Sequence, residues 1–222
     1  MRDYLTALEN EFTAYADTRV AKDQARYMKN QFAFFGIKTP LRRHIIRPFL
    51  TRSYLPGKSE MIEIVKEAWE KPQREFQYFG QELAFKYLSD LEKQDISLFE
   101  HMIVHKSWWD TVDFIATKLA GAYFKKYPDE IPAKTNEWVA SGNLWLQRSA
   151  LLFQLKYKKE LDTRLLSSLI TRLKDRNTFF INKAIGWVLR EYSKTNPDWV
   201  EAFVRNTQLN SLSRREALRL IR

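Results

Sequence analysis

Arg148-Ser-Ala-Leu-Leu-Phe-Gln-Leu-Lys-Tyr157 and Lys183-Ala-Ile-Gly-Trp-Val-Leu-Arg-Glu-Tyr192 lie 35 residues apart and match base with base, apolar with apolar and tyrosine with tyrosine. A shift of roughly 35 to 45 residues with two helices per unit is the signature of HEAT- or TPR-like arrays. A single helix pair cannot bury its own apolar face, so such units stack and curve, and one helix of each pair lines a concave groove. The two segments therefore predict an all-α fold, a right-handed superhelix (α-solenoid) of stacked antiparallel helix pairs.

The rest of the chain agrees. Six Gly and seven Pro punctuate 222 residues, and no stretch alternates with period two for long enough to argue a sheet. Amphipathic patterns run over 2–18, 22–30, 39–52, 58–70, 73–90, 94–105, 107–127, 129–141, 143–159, 161–174, 177–195, 197–206 and 213–221. The breaks fall at Gly36, Pro40, Pro56-Gly57, Pro72, Pro128, Pro132, Gly142 and Pro197, and such short connections make consecutive helices antiparallel neighbours. No linker interrupts the pattern, so residues 1–222 read as one domain.

Composition excludes several classes. Hydrophobic residues at 45% and aromatic residues at 14% leave no room for a mainly disordered chain. Zero cysteines remove disulfides, thiol catalysis and thiolate metal sites. His101 and His105 are four apart, but no third ligand or adjacent Glu completes a zinc pattern. No apolar run approaches the roughly 18 residues that cross a membrane, and Met1-Arg2-Asp3-Tyr4 does not open a signal peptide, so a cytoplasmic protein is expected.

Charge points to a polyanion. The net charge is +10, and its distribution is uneven. Residues 19–58 hold ten basic residues against one acidic, and residues 143–222 hold sixteen against seven. Between them, residues 59–142 hold ten basic against fifteen acidic. Two basic segments flanking an acidic middle suit a protein that grips nucleic acid with both ends.

Ser107-Trp-Trp-Asp-Thr-Val-Asp-Phe-Ile-Ala-Thr-Lys-Leu-Ala-Gly-Ala122 holds the candidate chemistry. Ser107 followed by Asp110 is a capping-box pattern and predicts that a helix starts there, which gives Asp110 a structural role. Asp113 lies one turn further in, where the helix is otherwise apolar, and it shares a face with Trp109. A carboxylate in such a run is either partnered by an arginine from a neighbouring helix or positioned for chemistry. The helices carrying Asp113, Arg148 and Trp187 are alternate helices of the array, so they are expected on one wall.

Ser107-Trp-Trp-Asp-Thr-Val-Asp113, Leu146-Gln-Arg-Ser-Ala150 and Lys183-Ala-Ile-Gly-Trp187-Val-Leu-Arg190-Glu-Tyr192 together resemble the AlkD family of bacterial DNA alkylation-repair glycosylases. So do Tyr27-Met-Lys-Asn and Phe35-Gly-Ile-Lys-Thr-Pro40-Leu-Arg-Arg43, and the likeness covers nearly the whole chain. The resemblance implies a monofunctional glycosylase, without metal or organic cofactor, that removes N3- and N7-alkylated purines from double-stranded DNA. It implies that the duplex lies in the concave face and that the lesion is not flipped into a pocket, unlike the usual strategy. Carried over by motif, Asp113 matches the catalytic acid, Trp109 and Trp187 the two indoles beside the lesion, and Arg148 the basic residue beside the backbone. Tyr27 matches a position near the DNA. No membrane and no obligate protein partner is implied, and a groove built within one chain suits a monomer.

The basic residues sort by place. Arg42 and Arg43 follow Thr39-Pro40 at a helix start, where backbone N–H groups and the helix dipole favour phosphate. Lys156, Lys158 and Lys159 end one helix, and Arg190 and Lys194 hold the corresponding part of the next repeat; basic residues there are also ordinary complements of the dipole. Ser213-Arg-Arg-Glu216 is a second capping-box pattern. Leu55-Pro-Gly-Lys58 reads as a turn. Two other readings stay open: a non-catalytic HEAT-repeat module for damaged or branched nucleic acid, and a protein-binding scaffold.

Overall fold

The computed structural model describes residues 2–176 and 178–221, with no side chain described for Arg2 and Asp3; Asn177, where the expected helix 177–195 begins, lies outside them. The described residues hold helices and short connections and no β-strand, a single isolated bridge joining Ala33 to Gln73. The all-helical architecture is thus the one the repeat predicts. The chain divides into two compact units, Met1–Leu91 and Glu92–Arg222.

In the first unit, α1 spans Arg2–Ala14, α2 Thr18–Tyr27, α3 Thr39–Ile46, α4 Lys58–Glu70 and α5 Arg74–Phe85. Met61, Ile64, Val65, Ala68 and Trp69 of α4 recur at helical spacing, and all are buried. Gly80 of α5 meets Trp69 so closely that an added Cβ would stand 3.1 Å from the indole. Helix α2 starts at Thr18 rather than Lys22 because Asp17 caps it, accepting from the N–H groups of Arg19 and Val20. The loop before α3 is tied down by one carboxylate. Glu75, buried on α5, accepts from the N–H groups of Phe35, Gly36 and Ile37 at 3.1 to 3.3 Å. Gly36 has φ +90° and lies so near the Asp17 carbonyl that a Cβ would fall 2.0 Å from it, so no other residue fits.

In the second unit, α6 spans Asp95–Val104, α7 Trp109–Phe114, α8 Gly121–Lys126, α9 Ile131–Ala140, α10 Leu144–Leu152, α11 Thr163–Leu173, α12 Phe179–Ser193, α13 Pro197–Asn206 and α14 Ser211–Ala217. Helices α7 and α8 form one rod through a π-helical turn, Ile115–Ala120, where the expected helix 107–127 is not regular α throughout. Gly121 is buried where the rod meets the end of α10, and an added Cβ would lie 2.7 Å from the Phe153 carbonyl oxygen.

The repeat is visible as hydrogen bonds between equivalent positions. Lys134 reaches Glu100 at 3.0 Å and Arg172 reaches the Asn136 side chain at 2.6 Å. The Tyr157 hydroxyl donates to the Gly121 carbonyl at 2.7 Å, and Lys156 donates to Glu191 at 2.8 Å. Asp113, Arg148 and Lys183 are successive members of one row at 35-residue spacing.

Both capping boxes are corrected. The Ser107 hydroxyl donates to the Ile103 carbonyl at 2.6 Å and so closes α6, and α7 starts two residues later behind Trp108, whose backbone is extended. Helix α14 is capped by Asn210, which accepts from the Leu212 N–H. Ser213 instead donates to the Asn182 carbonyl at 2.9 Å, tying α14 to α12. Ser107 is drawn back to the carbonyl four residues before it, a local bond, and Ser213 to a carbonyl of another helix, so neither hydroxyl caps the helix that follows.

Candidate active site

Asp113 projects from α7 toward α10, where Arg148 meets it with two parallel bonds. Nε donates to Oδ1 at 2.7 Å and Nη2 to Oδ2 at 2.9 Å. Nη1 donates to the Phe180 carbonyl at 2.5 Å at the start of α12. One guanidinium thereby links three helices, and its planar fork is the shape such a link needs. The Arg148 side chain is 6% exposed and that of Asp113 17%. Burial raises the Asp113 carboxyl above its ordinary value, the Arg148 bonds and charge oppose that rise, and Asp110 adds to it. Both carboxyl oxygens accept from the guanidinium in a partly dry place.

Trp109 lies one helical turn before Asp113 and is half-buried. Trp187 is half-buried on α12, directly after Gly186. Gly186 is there for packing: a Cβ would come 2.5 Å from the Glu216 Cβ of α14. The structure therefore brings Asp113 and Arg148 into direct contact and sets Trp109 and Trp187 on α7 and α12, two of the helices that α10 packs against.

Sequence reasoning leaves out an aromatic cluster beside this pair. Trp108, Trp145 and Phe180 pack with ring centroids 4.9 to 5.7 Å apart. They sit at the N-terminal ends of α7, α10 and α12, at spacings close to the repeat, which is the signal that could have found them. The Trp108 Nε1 is buried without a hydrogen-bond partner. The residues that tie the cations described next, Glu191 and Glu216, are also absent from the sequence reading as pairing groups.

The expected phosphate contacts differ in availability. In the first unit Tyr27 is 70% exposed at the end of α2. Thr39 is exposed at the start of α3. Arg42 is buried: its guanidinium lies 4.1 Å over the Tyr78 ring and 3.7 Å from Glu82. Burial lowers its pKa, with Glu82 and Tyr78 opposing. Arg43 stays 67% exposed, 4.0 Å from Glu82, which makes it the better placed of the two for a phosphate. In the second unit Lys156 lies past the end of α10 and pairs with Glu191, and Arg190 pairs with Glu216.

A cavity of about 500 Å³ lies between α9, α11 and the α10–α11 connection, lined by Ile131, Pro132, Gln154, Tyr157, Leu165 and Arg172 among others; none of the four residues assigned to chemistry borders it. His101 and His105 stack at 4.2 Å, and among the described residues no group of three or more His, Asp or Glu could hold a metal ion. Among them, too, no helix is long and apolar enough to cross a membrane.

Comparison with known proteins identifies relatives of the chain as a whole. The family model described as DNA alkylation repair enzyme matches residues 8–221. A solved structure titled as a predicted DNA alkylation repair enzyme from Enterococcus faecalis is 32% identical over 93% of this chain and 96% of its own, with a TM-score of 0.87. Comparison with curated proteins finds no match.

Proposed function

The chain belongs to the DNA alkylation repair enzyme family, and from that premise we propose that it is a monofunctional glycosylase of the AlkD type. It hydrolyses the N-glycosidic bond of N3- and N7-alkylated purines in double-stranded DNA. The observation that carries the reading is the Asp113 carboxylate, 17% exposed, fixed by both nitrogens of the Arg148 fork on the helix face that also bears Trp109.

The chemistry asks for little else. An alkylated purine of this kind is cationic, so when the bond from C1′ to the base nitrogen breaks, the bond electrons neutralise the base and it leaves without a proton donor. Positive charge then grows on the deoxyribose. A fixed carboxylate in a low-dielectric setting stabilises it without reorganising. Asp113 also accepts a hydrogen bond from the water that attacks C1′. Trp109 and Trp187 present indole faces, each attracting a cationic base or sugar by roughly 0.5–2 kcal/mol. Arg148 keeps Asp113 ionised and oriented. Thr39, Arg43 and Tyr27 of the first unit and Lys156 and Arg190 of the second contact the duplex, and Arg42, buried against Tyr78, shares Glu82 with Arg43.

The match over residues 8–221 supports reading 1–222 as one domain. One copy of the chain acts on duplex DNA in the cytoplasm, and no step uses a metal or organic cofactor.

Single-turnover release of free base from a duplex with one N7-methylguanine tests the reading. Wild type should release it rapidly and Asp113→Asn at least about 100-fold more slowly, with duplex affinity kept. One observation favours a second reading, a binding module without catalysis: both Asp113 oxygens already accept bonds from Arg148. Absence of release by either protein, with binding intact, would decide for the module.

A further inference from the structure

Glu191 lies in the last turn of α12, where the carbonyl end of the helix dipole disfavours a carboxylate. Its two oxygens are both engaged: Lys156 donates to Oε1 at 2.8 Å from the preceding repeat, and Lys194 donates to Oε2 at 2.6 Å from the same helix end. The depth of the three groups differs. Glu191 is 20% exposed, while Lys156 and Lys194 are 60% and 55% exposed. A polyanion arriving from solvent therefore meets the ammonium groups first, with the acid lodged beneath them. Burial pushes the Glu191 carboxyl up, but the two lysines together outweigh it and hold it below the usual value. Ion pairs whose cations are this exposed add little to a fold, so stability is a weak reason for an acid at a helix end that disfavours one.

We propose that Glu191 is an affinity-tempering residue: it neutralises half the charge of the Lys156–Lys194 pair, so that a duplex phosphate must displace a carboxylate before both lysines engage. This rests on the reading of the chain as a DNA-binding repair enzyme. Such an enzyme meets undamaged duplex in vast excess, and weakening contacts common to all sequences shortens each unproductive stay. Lys183, Arg190 and Glu216 repeat the arrangement of two cations and one acid, but Glu216 also seats α14 against α12, so Glu191 is the cleaner site to test.

The measurement is the dissociation constant of the full-length protein for an undamaged duplex across a salt series. Glu191→Gln should bind roughly two- to five-fold tighter at low salt, with a log–log salt slope steeper by up to about one. Lys156→Met should bind more weakly with a shallower slope. Unchanged or weaker binding by Glu191→Gln, at an unchanged melting temperature, overturns the proposal. If Glu191→Gln does not fold, Glu191→Ala takes its place: tighter binding with a steeper slope supports the proposal, and equal or weaker binding overturns it. A wild type that binds duplex and releases N7-methylguanine while Glu191→Gln binds no tighter sinks this inference alone. A wild type that binds no duplex removes the functional reading beneath it.

Discussion

Asp113 with Arg148 and Lys183 with Glu216 are two consecutive pairs on one row of the stack, yet they are built to different standards. The first is bidentate, its acid and base 17% and 6% exposed, with the third guanidinium nitrogen fixed to a backbone carbonyl. The second is a single contact of 3.1 Å from a lysine 38% exposed, and its acid is shared with Arg190. These two steps of the repeat each carry a charge pair; depth and hydrogen bonding separate the one proposed as the reactive centre from the one that braces α14. The residue type follows, because a fork can saturate a buried carboxylate and a lysine cannot.

The largest effect expected is on the deep pair. Arg148→Met leaves a buried carboxylate without its partner, and thermal unfolding should report a loss of about 3–5 kcal/mol. The same variant sharpens the pH argument. In the proposed mechanism Asp113 acts as the carboxylate, so the acid limb of the rate profile should have its midpoint above the ordinary carboxylate value, since burial raises it. With the opposing arginine gone, that midpoint should move further up. A midpoint unmoved by the substitution would mean that Arg148 does not tune the acid.

Asp113→Asn keeps an oxygen for Arg148, so the fold should lose less while chemistry loses more. Base release should fall about 100- to 1000-fold, the scale for removing one preorganised charge-stabilising group. Gly186→Ala strikes the brace through packing rather than charge. With 2.5 Å to the Glu216 Cβ, it should cost roughly 1–3 kcal/mol in chemical denaturation. Smallest is Lys183→Met, which removes a partly exposed pair; a melting shift above that of about 1 kcal/mol would make the two pairs more alike than their geometry.

Some of this was legible at once because it is periodic. The 35-residue match between Arg148–Tyr157 and Lys183–Tyr192 implied stacked helix pairs, and the same spacing links Asp113 to Arg148. The two serines show the limit. Ser107 and Ser213 both carry the capping pattern; the first hydroxyl turns back to the Ile103 carbonyl four residues earlier, and the second reaches Asn182 of another helix. For Ser213 the sequence contains the hydroxyl but not the distant acceptor that reaches it. Arg42 and Arg43 make the same point: adjacent in sequence, one lies under Tyr78 and the other faces solvent, because a helix turns about 100° per residue.

Composition and period thus determined the helical class, the repeat length and the basic character, and the motif resemblance supplied the short set of residues proposed for the chemistry. What tertiary structure alone decided was pairing: which cation reaches which acid, and at what depth. Arg148 on Asp113, Lys156 on Glu191 and Arg190 on Glu216 each join residues 26 to 35 positions apart. Helical periodicity fixes which face of a helix a side chain occupies, whereas pairing depends on the distance between helix axes, and that distance is set by packing at positions such as Gly121 and Gly186, where a single methyl group would not fit.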